Sequence, residues 1–211
     1  MTNQSITRMY DEARKEVMAV DTGLWSSIKG RETVKQAIIV AAVQGHGVGL
    51  CGPHNADPET LLLAANQLGV PGEVVKWPQG EKPDSEEKRR LFKKKYGPKL
   101  HGMFAKTDIH VACPVPTQSE LRRLADGTSL DDARERVGRV ERSPQDVSRV
   151  LDDPATALLR HAVRRCEWGQ RQSERVMDIA VSIALLDGSD KVEAPHVAAA
   201  IQYRMDRPNL I

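Results

Sequence analysis

The chain reads as an α/β protein: a core with a small, mainly parallel sheet, followed by an all-helical C-terminal bundle. Three observations lead there. An amphipathic helix from Arg31 runs into a short apolar strand at 48–51, a Gly52-Pro53 turn and a second helix opening near Asp57, the alternation that builds parallel sheets. Two further strand patterns, 73–77 and 108–112, are separated by a long helical pattern. From Ser119 onward the reading is all helical, with apolar residues at three-four spacing. The expected division is 1–23 as an N-terminal helical extension, 24–116 as the α/β core and 117–211 as the helical domain.

The elements follow in order. Residues 4–20 mix charge with Met9, Tyr10, Val17 and Met18, a short helix or loosely docked extension expected to pack on a neighbour. From Arg31, Val34, Ala37, Ile38, Ala41 and Ala42 lay one helical face on the core. Asp57, Pro58 and Glu59 make a helix start, as N-cap, first helical residue and first-turn carboxylate. That helix runs to Gln67, with Gly69 as its expected C-cap and Pro71 behind it. The strand 73–77 ends at Pro78-Gln79-Gly80, and Pro83-Asp84-Ser85 starts a helix expected to stop near Tyr96, before Gly97-Pro98. Its apolar seam is Leu91, Phe92 and Tyr96. Pro114 and Pro116 stop the third strand. In the helical domain a short helix is expected at 121–124, and another capped by Ser129 through Val140. Ser143-Pro144 opens a third and Pro154 a fourth over 155–166, before two more at 172–186 and 195–203. The stripes Val176, Ile179, Ile183, Leu186 and Val197, Ala198, Ile201 need each other.

Bulk properties exclude several classes. A chain of 211 residues that is 40% apolar can bury a sizeable core. Thirty-one basic against twenty-nine acidic residues give +2, so overall charge points to no partner and local charge must decide. Cysteines at 51, 113 and 166 are an odd set without repeating spacing, which argues for reduced thiols and a cytoplasmic location. No stretch approaches the ~20 apolar residues of a membrane span, and 1–20 is too charged for a signal peptide.

The turn after the first strand carries the sharpest chemical question. Strand, glycine turn and helix N-terminus is the phosphate-loop order, whose pattern is G-x-x-x-x-G-K-[ST]. Here Gly52-Pro53-His54-Asn55-Ala56 leads into Asp57, Pro58 and Glu59 where glycine, lysine and hydroxyl are required. Asp57 sets negative charge where phosphate oxygens would lie, Pro58 lacks both ammonium and amide, and Glu59 repels an anion where a hydroxyl would hold Mg²⁺. The anion pocket is filled by the chain's own carboxylates.

A family resemblance rests on three groups of residues. Ile28-Lys29-Gly30-Arg31-Glu32, Lys35-Gln36-Ala37 and Gly45-His46 ahead of Leu50-Cys51-Gly52-Pro53 resemble the opening of the ATPase module in magnesium-chelatase-like AAA+ proteins. Within that group the chain is most similar to the branch of the bacterial competence-associated DNA branch-migration helicases. Residues 84–98, followed by Thr107-Asp108-Ile109-His110-Val111 and Pro114-Val115-Pro116, are similar to the family's basic helix, aspartate segment and proline-rich exit. Lys106 stands nearest to where the family carries an arginine acting on a neighbour's nucleotide. Arg171, Arg175-Val176-Met177, Ile179-Ala180, Ser182-Ile183-Ala184, His196-Val197-Ala198 and 200–204 resemble the C-terminal helical lid, with Arg171 where the lid arginine reaches the terminal phosphates. The resemblance spans most of 24–207 with one large gap: the interval 71–83 is too short for the family's Mg²⁺-positioning acidic strand and sensor strand.

The resemblance implies a reduced AAA+, P-loop-like core with a small parallel sheet, then a helical lid bundle. The preferred reading is a catalytically inactive, shortened member of the group, without cofactor, acting as a binding or assembly module. Relict nucleotide-binding residues are Gly52, Pro53, His54, Asn55 and Arg171. Arg171 and Arg175 are otherwise read as solvated, or as ion-paired with Glu167 or Glu174. Partners implied are a second copy, a complete AAA+ paralogue, or DNA, and no membrane. One alternative is an ATP-binding ATPase subunit with an unusual phosphate loop that uses ATP and Mg²⁺. The other is a small DNA-binding protein working through Lys88, Arg89, Arg90, Lys93, Lys94, Lys95 and Lys99, a run that is either a solvated face or a track for a phosphate backbone. His46, Cys51 and His54, and His110 with Cys113, give no four-ligand spacing, so no metal is expected. No nucleophile elbow appears.

Overall fold

The computed structural model describes residues 24, 25, 28, 31–78, 85–115, 117, 118, 127–142 and 146–204. Helix α1 (Glu32–Gln44) ends at Gly45, which takes a left-handed φ of 71°. Strand β1 (Val48–Pro53), a 3-10 turn (His54–Ala56), helix α2 (Pro58–Asn66), strand β2 (Gly72–Trp77), helix α3 (Glu86–Lys106) and strand β3 (Ile109–Ala112) complete the α/β half. The helical half is α4 (Leu130–Arg142), α5 (Asp153–Cys166), α6 (Gln170–Asp187) and α7 (Ala194–Gln202). The expected extension at 1–23 and the short helix at 121–124 lie outside the described residues.

The sheet has the order β2-β1-β3 with both pairings parallel, Val48 standing opposite Gly72 on one side and Ile109 on the other. Chain order and handedness then fix the layers. The connection from β1 to β2 goes one way through α2, and that from β2 to β3 returns past β1 through α3. Right-handed crossovers therefore put α2 and α3 on opposite faces. Side-chain alternation agrees: Val48 and Leu50 of β1 join the large cluster with Ile38 of α1 and Leu61 of α2, whereas Cys51 joins Val75, Phe92, Tyr96, Leu100 and Met103 under α3. β1 is thus the central strand, and the turn at its carboxyl end sits where strand order reverses.

Helix α3 corrects the expected stop near Tyr96. It continues through Gly97 and Pro98 to Lys106. Pro98 removes one helical amide, a local loss that ordinarily breaks or kinks a helix. The seam decides otherwise: Phe92, Tyr96, Leu100 and Met103 recur along one face and are all buried on the sheet, so ending the helix early would expose Leu100 and Met103.

Two smaller expectations also shift. α2 has Gln67 as its C-cap, while Gly69 takes the left-handed φ of 73° two residues later. The helix expected from Ser143-Pro144 starts outside the described residues, and from Asp146 the backbone is not helical, Ser148 forming a parallel bridge with Lys191. Ser129 caps α4 as expected: its hydroxyl accepts from the Asp132 amide at 3.0 Å. In the helical half, α6 packs on α7 and on α1, and α7 on α5. The chain leaving α7 adds a parallel bridge between Arg204 and His110 at the β3 edge, with the His110 amide donating to the Tyr203 carbonyl at 2.7 Å.

Candidate functional site

The turn after β1 is built by residues that close on each other. The Arg31 guanidinium, just ahead of α1, donates to the Ala56 carbonyl. The Asp57 amide closes the 3-10 turn on the His54 carbonyl at 3.0 Å. Asp57 itself sits at φ 47°, ψ 56°, the left-handed conformation that the second glycine of a phosphate loop would supply without cost. Its carboxylate accepts from the Thr60 amide at 3.4 Å, and Glu59 pairs with Lys76 of β2 at 2.5 Å. A phosphate here would meet two carboxylates, a proline without an amide and an amide already taken. His54 and Asn55 point outward and are exposed.

Because Asp57 carries both strain and a cap, its replacement separates the two. Glycine in place of an N-cap acid costs a few tenths of a kcal/mol, while relief of a left-handed L-residue returns roughly 1 kcal/mol. Asp57→Gly is therefore expected to raise stability by about 0.5 kcal/mol in urea unfolding. A loss above that size would show that the carboxylate holds more than one amide.

Gly52, buried at the end of β1, faces Cys113: a Cβ there would lie 2.6 Å from the Cys113 carbonyl oxygen and 3.0 Å from its Cβ. This glycine has a packing reason that owes nothing to phosphate.

Arg171 and Arg175 do not gather at this turn. Arg171 is exposed on the first turn of α6, and among the described residues no hydrogen bond or ion pair joins it to 52–59. Arg175, read from sequence as pairing with Glu167 or Glu174, pairs instead with Asp108. Its Nε lies 3.2 Å from Asp108 Oδ1, and its Nη1 donates to the Thr107 carbonyl at 3.4 Å. Thr107 and Asp108 precede β3, at the amino edge of the sheet, the end opposite the turn after β1.

That amino edge is a polar hub that the sequence reading missed. Asp108 Oδ2 accepts from the Gly47 amide at 3.2 Å and lies 4.0 Å from His46 Nδ1. Arg204, 3% exposed, donates to the carbonyls of Thr107 and Asp108 at 3.3 and 3.2 Å. His46 Nε2 lies 2.9 Å from Ser182 Oγ, which donates to Gln44 Oε1 at 2.8 Å. Ser182, His46 and Asp108 thus follow the order of a hydrolase triad, yet Ser182 is 0% exposed and the His46–Asp108 gap exceeds hydrogen-bond reach. The arrangement fastens α6 to the core. Burial lowers the His46 pKa, opposed by the charges of Asp108 and Asp178.

A second fastening joins the two halves at the start of α4. Trp25 Nε1 and Lys35 Nζ both donate to the Thr128 carbonyl, at 2.8 and 3.1 Å, and the Thr128 amide donates to Glu32 at 3.2 Å. Lys35, 1% exposed, also lies over the Trp25 ring.

The candidate basic residues all stand on α3, and Lys88, Arg89, Arg90, Lys93, Lys94, Lys95 and Lys99 are exposed. Arg90 pairs with Glu86 at 2.9 Å and Lys95 lies 5.1 Å from the Tyr96 ring. Lys106, at the end of α3, pairs with Glu73 of β2 at 2.8 Å. Burial pushes the Cys51 and Cys113 thiols up to about 12, which keeps these two protonated and poor nucleophiles. Among the described residues no group of three or more His, Cys, Asp or Glu side chains could hold a metal ion, and no helix is long and apolar enough to cross a membrane.

Residues 118–204 match the family model for the C-terminal domain of magnesium chelatase subunit ChlI. The stretch takes in α4 to α7 with Arg171, Arg175 and Arg204, and it supports a magnesium-chelatase-like AAA+ relationship. No curated protein matches the chain.

Proposed function

We propose, on the premise that the helical half is of magnesium-chelatase type, that the chain is a shortened AAA+-like protein without ATPase activity, acting as a binding or assembly module in the cytoplasm. One observation carries the reading: the turn after β1 is capped by Asp57, while Arg175 of the lid is held by Asp108 at the other end of the sheet. The cap of the turn and Arg175 are engaged with the protein itself, and Arg171 stands exposed on the first turn of α6, away from the turn's bonds.

A thermal-unfolding series with ATP and Mg²⁺ tests it. A site with a Kd of ~0.1 mM would add about 2.3 kcal/mol at ~5 mM ATP and raise Tm by several degrees; the expected result is no shift. A clear rise would favour the alternative of an ATP-binding subunit. Self-association or docking on a complete AAA+ paralogue fits the same reading, and co-purification with an intact ATPase would support it.

Charge segregation favours a second reading, contact with nucleic acid. α3 holds eight basic and two acidic residues, +6 in a chain of +2, so the remainder carries −4. A face this basic on an otherwise acidic molecule suits a polyanion.

A further inference from the structure

We infer that the nucleic acid taken by α3 is a single strand, lying along the flank of the helix beside the β2 edge. This rests on the nucleic-acid reading above and narrows it. Lys88, Lys95, Lys99 and Lys106 recur at spacings of seven, four and seven, which on a helix of 100° per residue keeps them within ~20° of one line about 27 Å long. That line runs along the β2 side, because Lys106 reaches Glu73 of β2 and Lys95 lies over Tyr96, itself 6.2 Å from the Trp77 ring of β2. β2 is an edge strand among the described residues, and Trp77 at its end is half-buried, packed edge-on against Phe92 at 5.1 Å. Cations in a row with an accessible aromatic beside them form the site a single strand uses, with phosphates on the lysines and a base against the ring.

A duplex is the less favoured form: the row stands beside a half-buried ring that can stack on an unpaired base and not on one already stacked inside a double helix. A membrane surface fits no better, since Leu91 is the one large apolar side chain exposed on the helix.

The test is fluorescence anisotropy of the full chain with a labelled oligothymidylate of ~20 nucleotides, against a duplex of equal length and vesicles of anionic lipid, over a salt series. Lys95→Gln with Lys99→Gln is compared with Arg90→Gln with Lys94→Gln, which removes the same charge from the other flank. We expect tighter binding of the single strand than of the duplex. The Lys95/Lys99 variant should lose roughly tenfold at low salt and flatten the salt slope by about 1.4, with a smaller loss for the Arg90/Lys94 variant. Tryptophan emission should quench on binding and not in Trp77→Phe, because Trp25 and Trp168 are 0% and 8% exposed. Duplex binding equal to or tighter than the single strand would overturn the inference and leave the nucleic-acid reading standing. Equal losses in the two double variants would overturn the assigned flank. Binding of neither oligonucleotide, with or without binding to vesicles, would overturn both.

Discussion

Gly52→Ala is expected to destabilise the protein by about 2–3 kcal/mol, whereas Gly102→Ala is expected to stabilise it by roughly 0.5–1 kcal/mol. The opposite signs come from what each new methyl group meets. At position 52 the methyl would press on the Cys113 carbonyl at 2.6 Å and its Cβ at 3.0 Å. Neither atom can step aside: the Cys113 amide is bonded to the Cys51 carbonyl at 2.7 Å, and Cys51 is held in register opposite Ala112. Relief would require β1 and β3 to separate. At position 102, inside α3, nothing lies within 4 Å of the new atom, so alanine only reduces the freedom of the unfolded chain. Urea unfolding of both variants checks the pair, and its functional content is specific. Gly52 is the one residue of the phosphate-loop pattern that this chain keeps, and a loss of this size without nucleotide present would show packing alone to be sufficient reason for it.

How much of this was legible in the sequence depends on the range over which each decision is made. The cap Asp57-Pro58-Glu59, the cap at Ser129 and the strand at β1 are settled by neighbours within a few residues, and there the structure agrees with the reading. The parallel sheet followed from strands separated by helices, because a parallel pair needs a crossover. Pro98 misled because its penalty is local while the burial that outweighs it, at Leu100 and Met103, depends on a sheet face the sequence does not display. Arg175 misled for the same reason at longer range. Glu167 and Glu174 are near Arg175 in the chain, but its partners at Thr107 and Asp108 lie 68 residues away for the hydrogen bond to Thr107. Ser182 and His46 are 136 residues apart. The only local signal is the pair Thr107-Asp108 directly before a strand, which the resemblance assigns to an aspartate segment. Its polar atoms instead receive α6 and the chain end after α7.

Acid should weaken the fold by about 2 kcal/mol between pH 8 and pH 5, and His110 should account for most of that loss. His110 is 1% exposed on β3, with its ring on Phe104 at 4.4 Å, Nε2 3.1 Å from the Thr107 carbonyl and Nδ1 without a hydrogen-bond partner. Burial first, and then the positive charge of Arg204, lower its pKa from 6.5 to about 3; Arg175 acts in the same direction and the Thr107 hydrogen bond opposes. The folded state therefore refuses a proton that the unfolded chain accepts near 6.5. Stability is complete above that value and declines steadily as pH falls toward 3. His46, also lowered by burial, adds a loss of the same sign. Urea midpoints at pH 8, 6 and 5 check the slope, and His110→Gln should flatten it whatever that change does to stability at pH 8. A native profile that stays level over this range would mean that folded His110 takes the proton. An imidazolium there would need a second acceptor at Nδ1 and would stand beside Arg204, so the contact of Arg204 with Thr107 and Asp108 would have to open, and with it the attachment of the segment after α7 to the sheet.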